Sequence, residues 1–575
     1  MIRKTHSVLL GVALAAGCSG PADEAADATM PISATPEPAM PVAAAPDLTQ
    51  IAYIKASNPM FGANFGAGGS AIGDNAVSLS GDGMTLAVGA PFESSSSAGI
   101  GGNQADESLF GAGAVYVFAN EDGEWVQQAY IKASNPGVTD NFGFATSLSD
   151  DGNTLAVSAH FESSAATGIN GDQVDDSIGQ SGAAYIFVRD GSTWTQQAYI
   201  KASNTGHRAA EVPDDAPPLA DVAFGPASEG EYRYEGSLGE EFDDGDQFGA
   251  ALALTSDGNR LIVTATAEDS AATGTNGDQT DNSKRSAGAA YIFDRTADTW
   301  AQSAYIKPSN PEVDALFGYS VAIAADGSRI AVGAYDEDGS PDSTNEFQDG
   351  LVRGAGAVYV FELNGNSWDQ IGYLKASNAE RGDSFGVAVT MSANGTTIIG
   401  TAQDEDGLLP GINNIPGPDR NDAVRPTTGA VYAFVENEDG SWTQQAYIKS
   451  SNTGAGDIFG SRLDVSADGN VLVVGAQFED SDAQGIDGPQ DNDNAQEAGA
   501  VYIFTRDGET WAQEAYVKGS NTEIFDEFGS SVSISTDGSL IAVGAYLEDS
   551  AATGLGGDQS DNSIPDSGAV YLFSR

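Results

Sequence analysis

The chain has 575 residues, and its 83 acidic residues against 24 lysines and arginines give a formal net charge of −59. A surface this acidic repels nucleic acid and anionic lipid, and it favours cations or basic partners. The single cysteine, Cys18, and the three histidines exclude a disulfide framework, a cysteine-rich zinc site and a haem attachment motif. The hydrophobic fraction of 40% suffices for a core, and the length predicts several domains or a repeat array.

Residues 1–18 have the features of an export signal. A basic start precedes an apolar stretch too short to span a bilayer, and "AAGC" follows as a small-residue cleavage site. The segment resembles a bacterial lipoprotein signal, in which Cys18 would carry the lipid; ordinary secretion with an incidental cysteine is the alternative. Ser19 after the cysteine favours the outer membrane over the inner one. Residues 19–46 are rich in Ala, Pro and acids and predict a disordered tether.

Residues 47–575 consist of a repeated unit. Its signature is "YIK" followed by Ser-Asn, and the lysines are spaced by 68 to 77 residues, except for one longer interval. The signature lysines are Lys55, Lys132, Lys201, Lys307, Lys375, Lys449 and Lys518. A period of this length made of short strands predicts a propeller or solenoid. The longer interval holds an insertion, residues 205–247, which is either a recognition loop or unstructured.

Each unit predicts four strands, A to D. In the second unit, strand A "FGFATSLS" leads through an Asp-Gly turn into strand B "TLAVSA". A long loop follows, then strand C "GAAYIFV", a second Asp-Gly turn, and strand D "TWTQQAYIKAS". Asp-Gly between two apolar runs is typical of a two-residue hairpin. Strands B and C are almost continuously apolar, as in sheets covered on both faces.

The first copy of the signature, Leu48–Asn58, supplies only a strand D, and the end of the sequence, "GAVYLFSR", supplies a strand C with no D after it. The sequence therefore predicts an all-β, seven-bladed propeller of four-stranded antiparallel blades, in which the N-terminal strand completes the last blade. This closure would leave no exposed end sheet. Six tryptophans begin strands D, and Leu48 takes that place in the first copy.

The units resemble FG-GAP repeats, the blades of the integrin α-subunit propeller and of many bacterial surface proteins. Six of them carry the Phe-Gly pair that begins strand A, while the first unit has "IGDNAVSLS" in its place. The pairs begin at Phe142, Phe248, Phe317, Phe385, Phe459 and Phe528. The resemblance implies a binding or adhesion module for a protein or glycan ligand at the cell surface. The integrin calcium loop between strands A and B has no counterpart here, because that connection is short.

A glutamate follows strand B in every unit, and five of the B–C loops after it share a Gly-x-x-Gly-x-Gln pattern with further acids. Clustered carboxylates and amides among glycines suit Ca²⁺, which takes six to eight oxygen ligands. The predicted calcium ligands are Glu162 with Asp172 and Asp175, Glu268 with Asp278 and Asp281, and Glu548 with Asp558 and Asp561. The alternative is a solvated loop whose glutamate caps a backbone amide. The signature lysines are predicted to pair with nearby carboxylates.

These patterns favour a non-catalytic binding module, exported and lipid-anchored at the outer membrane or cell surface, without nucleic-acid partners. The membrane would be reached only through the lipid. A carbohydrate hydrolase using paired carboxylates on the long-loop face is the rival interpretation. The tripeptide Arg381-Gly382-Asp383 matches the integrin-ligand motif, but tripeptides arise by chance.

Overall fold

The computed structural model describes residues 48–67, 75–206, 245–340, 352–415 and 426–575. They form seven antiparallel sheets arranged as the blades of a β-propeller. The predicted signal and tether, and most of the 205–247 insertion, lie outside the described residues. Within them, no helix has the length and apolar character needed to cross a membrane.

Each blade contains strands A, B, C and D, as predicted, and in blades 1 to 6 they follow one another in sequence. Blade 1 contains β2 (Val77–Leu79), β3 (Thr85–Ala90), β4 (Ala114–Glu121) and β5 (Glu124–Ile131), and blade 2 contains β6 (Thr146–Leu148), β7 (Thr154–Ala159), β8 (Ala183–Asp190) and β9 (Thr193–Ile200). Blade 3 contains β10 (Phe248–Leu254), β11 (Arg260–Ala265), β13 (Ala289–Thr296) and β14 (Thr299–Lys307), with a short fifth strand, β12 (Gly274–Thr275), beside strand D.

Blade 4 contains β15 (Val321–Ile323), β16 (Arg329–Ala334), β17 (Ala357–Asn364) and β18 (Ser367–Leu374), and blade 5 contains β19 (Phe385–Met391), β20 (Thr397–Ala402), β21 (Ala430–Glu436) and β22 (Trp442–Ile448). Blade 6 contains β23 (Phe459–Val465), β24 (Val471–Ala476), β25 (Ala500–Asp507) and β26 (Thr510–Val517). Blade 7 contains β27 (Phe528–Ile534), β28 (Leu540–Ala545), β29 (Ala569–Ser574) and, as its strand D, β1 (Thr49–Ile54).

The predicted closure by the N-terminal strand is confirmed. Strand β1 pairs antiparallel with β29, with Thr49 opposite Ser574 and Ile54 opposite Val570. Leu48 is buried in the same core cluster as Tyr571, where other blades place a tryptophan. One blade is thus assembled from both ends of the propeller sequence, so the ring has no unpaired end sheet.

Burial explains the layering of each blade. Strands B are buried along their whole length, as in β3 and β7, or at all but their first residue, as in β11, whereas strands D such as β5 and β9 have exposed or partly exposed residues near their start. Each strand A packs against strand A of both neighbouring blades, so the A strands surround the axis and the D strands lie outermost. The apolar cores lie between adjacent blades.

The A–B turns join the blades through a closed circle of seven main-chain hydrogen bonds. In each bond a turn N–H donates to a carbonyl in the turn of the next blade, over 2.8 to 3.2 Å. The donors and acceptors are Asp82 and Asp150, Asp150 and Ser256, Ser256 and Ala325, Ala325 and Ala393, Ala393 and Ala467, Ala467 and Thr536, and Thr536 and Gly81. The circle fixes the register of every blade at the end of the ring opposite the long loops.

The predicted two-residue A–B hairpin is wrong in detail. In blade 1 five residues separate β2 from β3, and only Gly83 has a positive φ, of 68°. The Ser80 carbonyl accepts from the Gly83 N–H, and the Asp82 carboxylate accepts from the Ser80 hydroxyl and the Met84 N–H. Local side-chain bonding therefore favours a wider turn than the Asp-Gly pair alone indicates.

The first unit has a Phe-Gly pair after all, at Phe65-Gly66. The Phe65 ring meets the Tyr116 ring edge-on at 5.3 Å, as Phe142 meets Tyr185 at 5.2 Å in the next blade. A Cβ added to Gly568 would lie 2.2 Å from the Phe65 carbonyl oxygen, so only glycine allows this approach. Extra residues between the pair and strand A hide the match in the sequence.

Candidate functional site: the long-loop face

The D–A and B–C connections all leave the ring on one side, which we call the long-loop face. Strand A begins where the D–A loop ends, and the B–C loop begins where strand B ends, so in an antiparallel meander both lie at the same edge of the blade. The A–B and C–D turns lie on the opposite side, the turn face. Loops gathered on one side of a rigid scaffold are the usual position for binding residues.

Seven buried Lys–Glu ion pairs lie beneath the long-loop face, one in each blade. Each lysine comes from the end of strand D, each glutamate follows strand B, and the N–O distances are 2.5 to 2.9 Å. The pairs are Lys55–Glu548, Lys132–Glu93, Lys201–Glu162, Lys307–Glu268, Lys375–Glu337, Lys449–Glu405 and Lys518–Glu479. The predicted pairing of lysines with carboxylates is confirmed.

The Glu162 carboxylate shows how completely these acids are occupied. Its Oε1 accepts from the Tyr199 hydroxyl at 2.8 Å and the Asn135 amide at 2.9 Å. Its Oε2 accepts from Lys201 Nζ at 2.7 Å and the Ser164 N–H at 3.2 Å. Glu268 and Glu548 have the same four kinds of donor. Four donors use the four lone-pair sites that a carboxylate offers.

Burial dominates the electrostatics of this network. It lowers the pKa of Lys201, and the negative charge of Glu162 opposes that shift. It raises the pKa of Tyr199, and Glu162 raises that pKa further. Both directions are those expected when a charge leaves water and is compensated by a single partner. Burial thus disfavours the charged forms of Lys201 and Tyr199, while the neighbouring Glu162 favours a charged lysine and a neutral tyrosine.

The network also links consecutive blades. Asn135 ends strand D of blade 1 but donates to Glu162 of blade 2, and its Oδ1 accepts from the Tyr185 hydroxyl of that blade at 2.8 Å. The neighbouring Ser134 hydroxyl donates to Gln173 Oε1 at 2.6 Å. The Ser-Asn of the signature and the Gln of the Gly-x-x-Gly-x-Gln loop are therefore two halves of an inter-blade joint, which the sequence alone did not reveal.

The aspartates of the predicted calcium sets occupy a different layer from their glutamates. Asp172 is exposed and Asp175 is partly exposed, and their Oδ1 atoms accept from the N–H groups of Val174 and Ser177. Asp278, Asp281 and Asp558 likewise accept from N–H groups in their own loops. Across the part of the chain that the structure describes, no group of three or more His, Cys, Asp or Glu is arranged to hold a metal. Calcium binding stays a prediction.

Five D–A loops are closed by a buried aspartate two residues before the Phe-Gly pair. Asp140 accepts from the Gly137 N–H at 2.6 Å, and Asp526 accepts from the Glu523 N–H at 2.8 Å. Burial raises the pKa of Asp140 and Asp457 to about 7, and of Asp246 and Asp526 to about 8. Asp383 belongs to this set, because it is buried and accepts from the Glu380 N–H. The Arg381-Gly382-Asp383 motif therefore exposes its arginine but not its carboxylate.

One acid near the axis was missed by the sequence patterns. Glu527 precedes β27, is 5% exposed, and its Oε2 has no hydrogen-bond partner among the described residues. Burial raises its pKa to about 8, and the charge of Glu497 raises it further. The Tyr546 hydroxyl and Arg462 of blade 6 both lie close enough to lower the pKa of this carboxyl. The only signal was an acid just before Phe-Gly, where the other blades have Asn, Gln, Leu, Ser or Ile.

The rim of the long-loop face is formed by the tips of the D–A loops. The tip residue stands four positions before the Phe of the Phe-Gly pair, and the N–H of the next residue donates to a carbonyl of the preceding B–C loop over 2.6 to 3.1 Å. The tips with their neighbouring carbonyl residues are Phe61 with Pro565, Val138 with Phe110, Val313 with Arg285, Arg381 with Arg353, Ala455 with Pro426, and Ile524 with Gln496. The tips are thus anchored at equivalent places but present different side chains.

Comparison with known proteins agrees with this architecture. The sequence model of the FG-GAP repeat matches residues 125–187, 300–361, 442–504 and 511–573. Four segments of the chain are FG-GAP repeats. Each match begins at a tryptophan of strand D and ends in strand C of the following blade, so the sequence repeat is offset from the structural blade.

The remaining comparisons add no function. No curated protein matches the chain. Among solved structures, the chain is similar to a crystal structure titled as a putative 6-phosphogluconolactonase from Bacteroides uniformis, at 9% identity and a TM-score of 0.39. That likeness covers 77% of this chain and 85% of the other.

Proposed function

We propose that this FG-GAP propeller is a non-catalytic binding or adhesion module displayed at a bacterial surface, with a protein or glycan ligand. The observation that carries the proposal is the contrast between the interior and the rim. Positions that repeat from blade to blade, such as the Lys–Glu pairs, are buried and structural. The rim tips are exposed and differ between blades, as Phe61, Val313 and Arg381 do. A fixed scaffold with a variable rim forms one asymmetric binding surface rather than seven equal sites.

Display at the surface rests on the sequence features of the segment before the propeller. A lipid on Cys18 would hold the protein at the outer membrane, and residues 19–46 would let the ring extend from it. The strong negative charge disfavours direct adsorption of the ring to anionic lipid. The lipid would therefore be its only contact with the membrane.

We propose calcium only as an additional ligand that stabilises the B–C loops. An ion at the predicted sets would have to use loop aspartates such as Asp172 and Asp175, because Glu162 is fully hydrogen-bonded. A ligand that binds only the folded state raises its stability. Melting curves with Ca²⁺ or EDTA at constant ionic strength test this. A Ca²⁺-dependent rise in melting temperature that disappears in the double variant Asp172→Asn/Asp175→Asn supports the loop site. A melting temperature that is the same with Ca²⁺ and with EDTA excludes a stabilising role for calcium.

The rival proposal, a carbohydrate hydrolase, has one observation in its favour. Glu527 is a buried carboxyl with a raised pKa, which is what a general acid requires at neutral pH. The repeated glutamates do not add to this case, since each is held by its lysine and tyrosine.

One experiment separates the two proposals. Purified residues 47–575 are applied to glycan and surface-protein arrays and, in parallel, to a panel of chromogenic glycosides. Saturable binding without turnover is expected. Turnover that is lost in Glu527→Gln would overturn the binding proposal in favour of the hydrolase, and the absence of both activities would count against either.

A further inference from the structure

The tips on the rim of the long-loop face differ in chemical character from blade to blade. We use the term apolar arc for the D–A tips at the start of blades 7, 1 and 2, together with Phe110, which lies beside the tip of blade 2. Its members and their exposed fractions are Ile524 (58%), Phe525 (43%), Phe61 (76%), Phe110 (63%) and Val138 (62%). Large apolar side chains exposed at neighbouring loop tips are a feature of interaction sites, whereas single exposed apolar residues are ordinary.

Arginines lie beside the tip at the start of blade 4, which is Val313, and at the tip at the start of blade 5. Arg285 stands beside the Val313 tip, pairs with Asp314, and follows Lys284. At the next boundary both the tip and its neighbour are exposed arginines, Arg381 and Arg353. The same backbone framework therefore presents large apolar tips in a row at blades 7, 1 and 2, whereas at blades 4 and 5 arginines lie among exposed apolar residues such as Val313 and Leu408.

No exposed cation accompanies the apolar arc on the long-loop face of blades 6, 7, 1 and 2, within the described residues. The four signature lysines there, Lys518, Lys55, Lys132 and Lys201, are buried in their glutamate pairs, and Arg462 is also buried. The remaining arginines, Arg189, Arg506 and Arg575, follow or end strands C and so lie at the turn face. Exposed carboxylates surround the arc, among them Glu107, Asp176, Asp493, Glu523 and Asp561.

The backbone is strained at one arc residue, Phe525, and at Thr139 beside the arc residue Val138. Phe525 has a φ of 69° and Thr139, next to Val138, has a φ of 60°. A bulky or β-branched residue in this region is an outlier that costs on the order of 1 to 3 kcal/mol and persists where the surroundings impose it. Hydrogen bonds from Phe525 N–H to the Gln496 carbonyl and from Thr139 N–H to the Phe110 carbonyl hold the two tips in place. The arc is therefore a preformed surface, which lowers the entropy cost of binding.

We propose that the apolar arc is the docking surface for a polypeptide that carries apolar side chains flanked by lysines or arginines. This inference rests on the proposed binding function. It identifies the surface that binds and the chemistry of the partner. Apolar contacts with Phe61, Phe110 and their neighbours would supply the affinity, and the surrounding carboxylates would select for positive charge. An acidic polypeptide would be repelled, and so would a second copy of this chain.

The probe is a labelled helical peptide of Leu and Lys with all leucines on one face, titrated with residues 47–575 and followed by fluorescence anisotropy. Two peptides serve as probe controls, one with the same residues in scrambled order and one with Glu in place of Lys. We expect saturable binding of the amphipathic peptide only, and an affinity that falls as NaCl is raised.

Variants then locate the site. Phe61→Ser/Phe110→Ser should weaken binding at least about tenfold, as removal of central aromatic anchors commonly does. Val313→Ser is the matched control, because it changes the same loop position beside Arg285 and should leave the affinity within about twofold. Melting temperatures of the variants check that each is folded.

Three outcomes overturn the inference. Equal binding of the scrambled peptide would indicate diffuse attraction to a polyanion, and an equal loss in Val313→Ser would place the site elsewhere. Absence of any binding by the amphipathic peptide would remove this partner class. In that last case, ligands retained on the arrays would still support the proposed binding function, so the two failures are distinguishable.

Discussion

Lys201 and Glu162 form an ion pair at 2.7 Å in which the side chains are 0% and 1% exposed. The sequence marks both residues as repeated and charged, which is the usual appearance of a binding site. Their burial and their complete set of hydrogen bonds show that they support the blade from within. The acids that define the repeat are thus part of the scaffold, and binding functions must be sought among the residues that do not repeat.

Breaking this pair should strongly destabilise the ring. Glu162→Gln keeps the shape of the side chain but leaves the Lys201 charge buried without its counter-ion, which costs about 3–5 kcal/mol in comparable proteins. Urea unfolding followed by tryptophan fluorescence measures the change. Asp176→Asn, an exposed acid in the next loop, is the control and should change stability by less than about 0.5 kcal/mol. Equal, small effects of both variants would contradict the structural role of the pair.

Stability should fall as the pH rises from about 5 to 8. The pKa of Asp140 in the folded state is about 7 and that of Asp526 about 8, against an ordinary value of 3.8. Between these limits the folded state holds protons that the unfolded state has lost, so the free energy of unfolding decreases with rising pH. Thermal melts across this range measure the slope.

The double variant Asp140→Asn/Asp526→Asn tests whether these two carboxyls cause the pH dependence of stability. An asparagine oxygen can still accept from the Gly137 and Glu523 N–H groups, but the side chain no longer titrates. The fall in melting temperature between pH 5 and 8 should therefore be smaller in the double variant than in the wild type. At pH 8 the variant should melt at a higher temperature than the wild type. An unchanged slope would show that these carboxyls are not the groups responsible.

Lipid anchoring predicts the distribution of the protein between cell fractions. Cys18→Ser should move it from the membrane to the soluble fraction, because the lipid is its only proposed attachment. Fractionation followed by immunoblotting measures this, with Ser19→Ala as the control that keeps the cysteine. A mutant that stays in the membrane fraction would contradict the anchor.

The sequence was sufficient for the fold because the propeller is built from local signals repeated seven times. Alternating and continuous apolar runs predict the strands. The unpaired strand D that begins at Leu48 predicts how the ring closes. The Phe65-Gly66 pair was missed because extra residues separate it from its strand. The joint between Asn135 and Glu162 was also missed, since contacts between successive repeats leave no mark on the pattern within one repeat.

The rim could not be predicted for a different reason. Whether Val138 is exposed depends on the positive φ of Thr139 and on the carbonyl of Phe110, which lies in another loop. The grouping of Phe61 with Ile524 depends on ring closure, which brings the two ends of the propeller sequence side by side. Neither relationship is local, so only the three-dimensional arrangement shows which apolar tips are neighbours on the rim.

The melting temperature of the propeller without residues 47–58 tests closure by the N-terminal strand most directly. Removing them exposes the edge of β29, takes Lys55 from the buried Glu548, and takes Leu48 from the core of blade 7. We predict aggregation or a large fall in melting temperature, reversed in part by adding the missing segment as a free peptide, but not by a scrambled one. A truncated protein that melts within a few degrees of the full propeller, and does not respond to the peptide, would contradict the account.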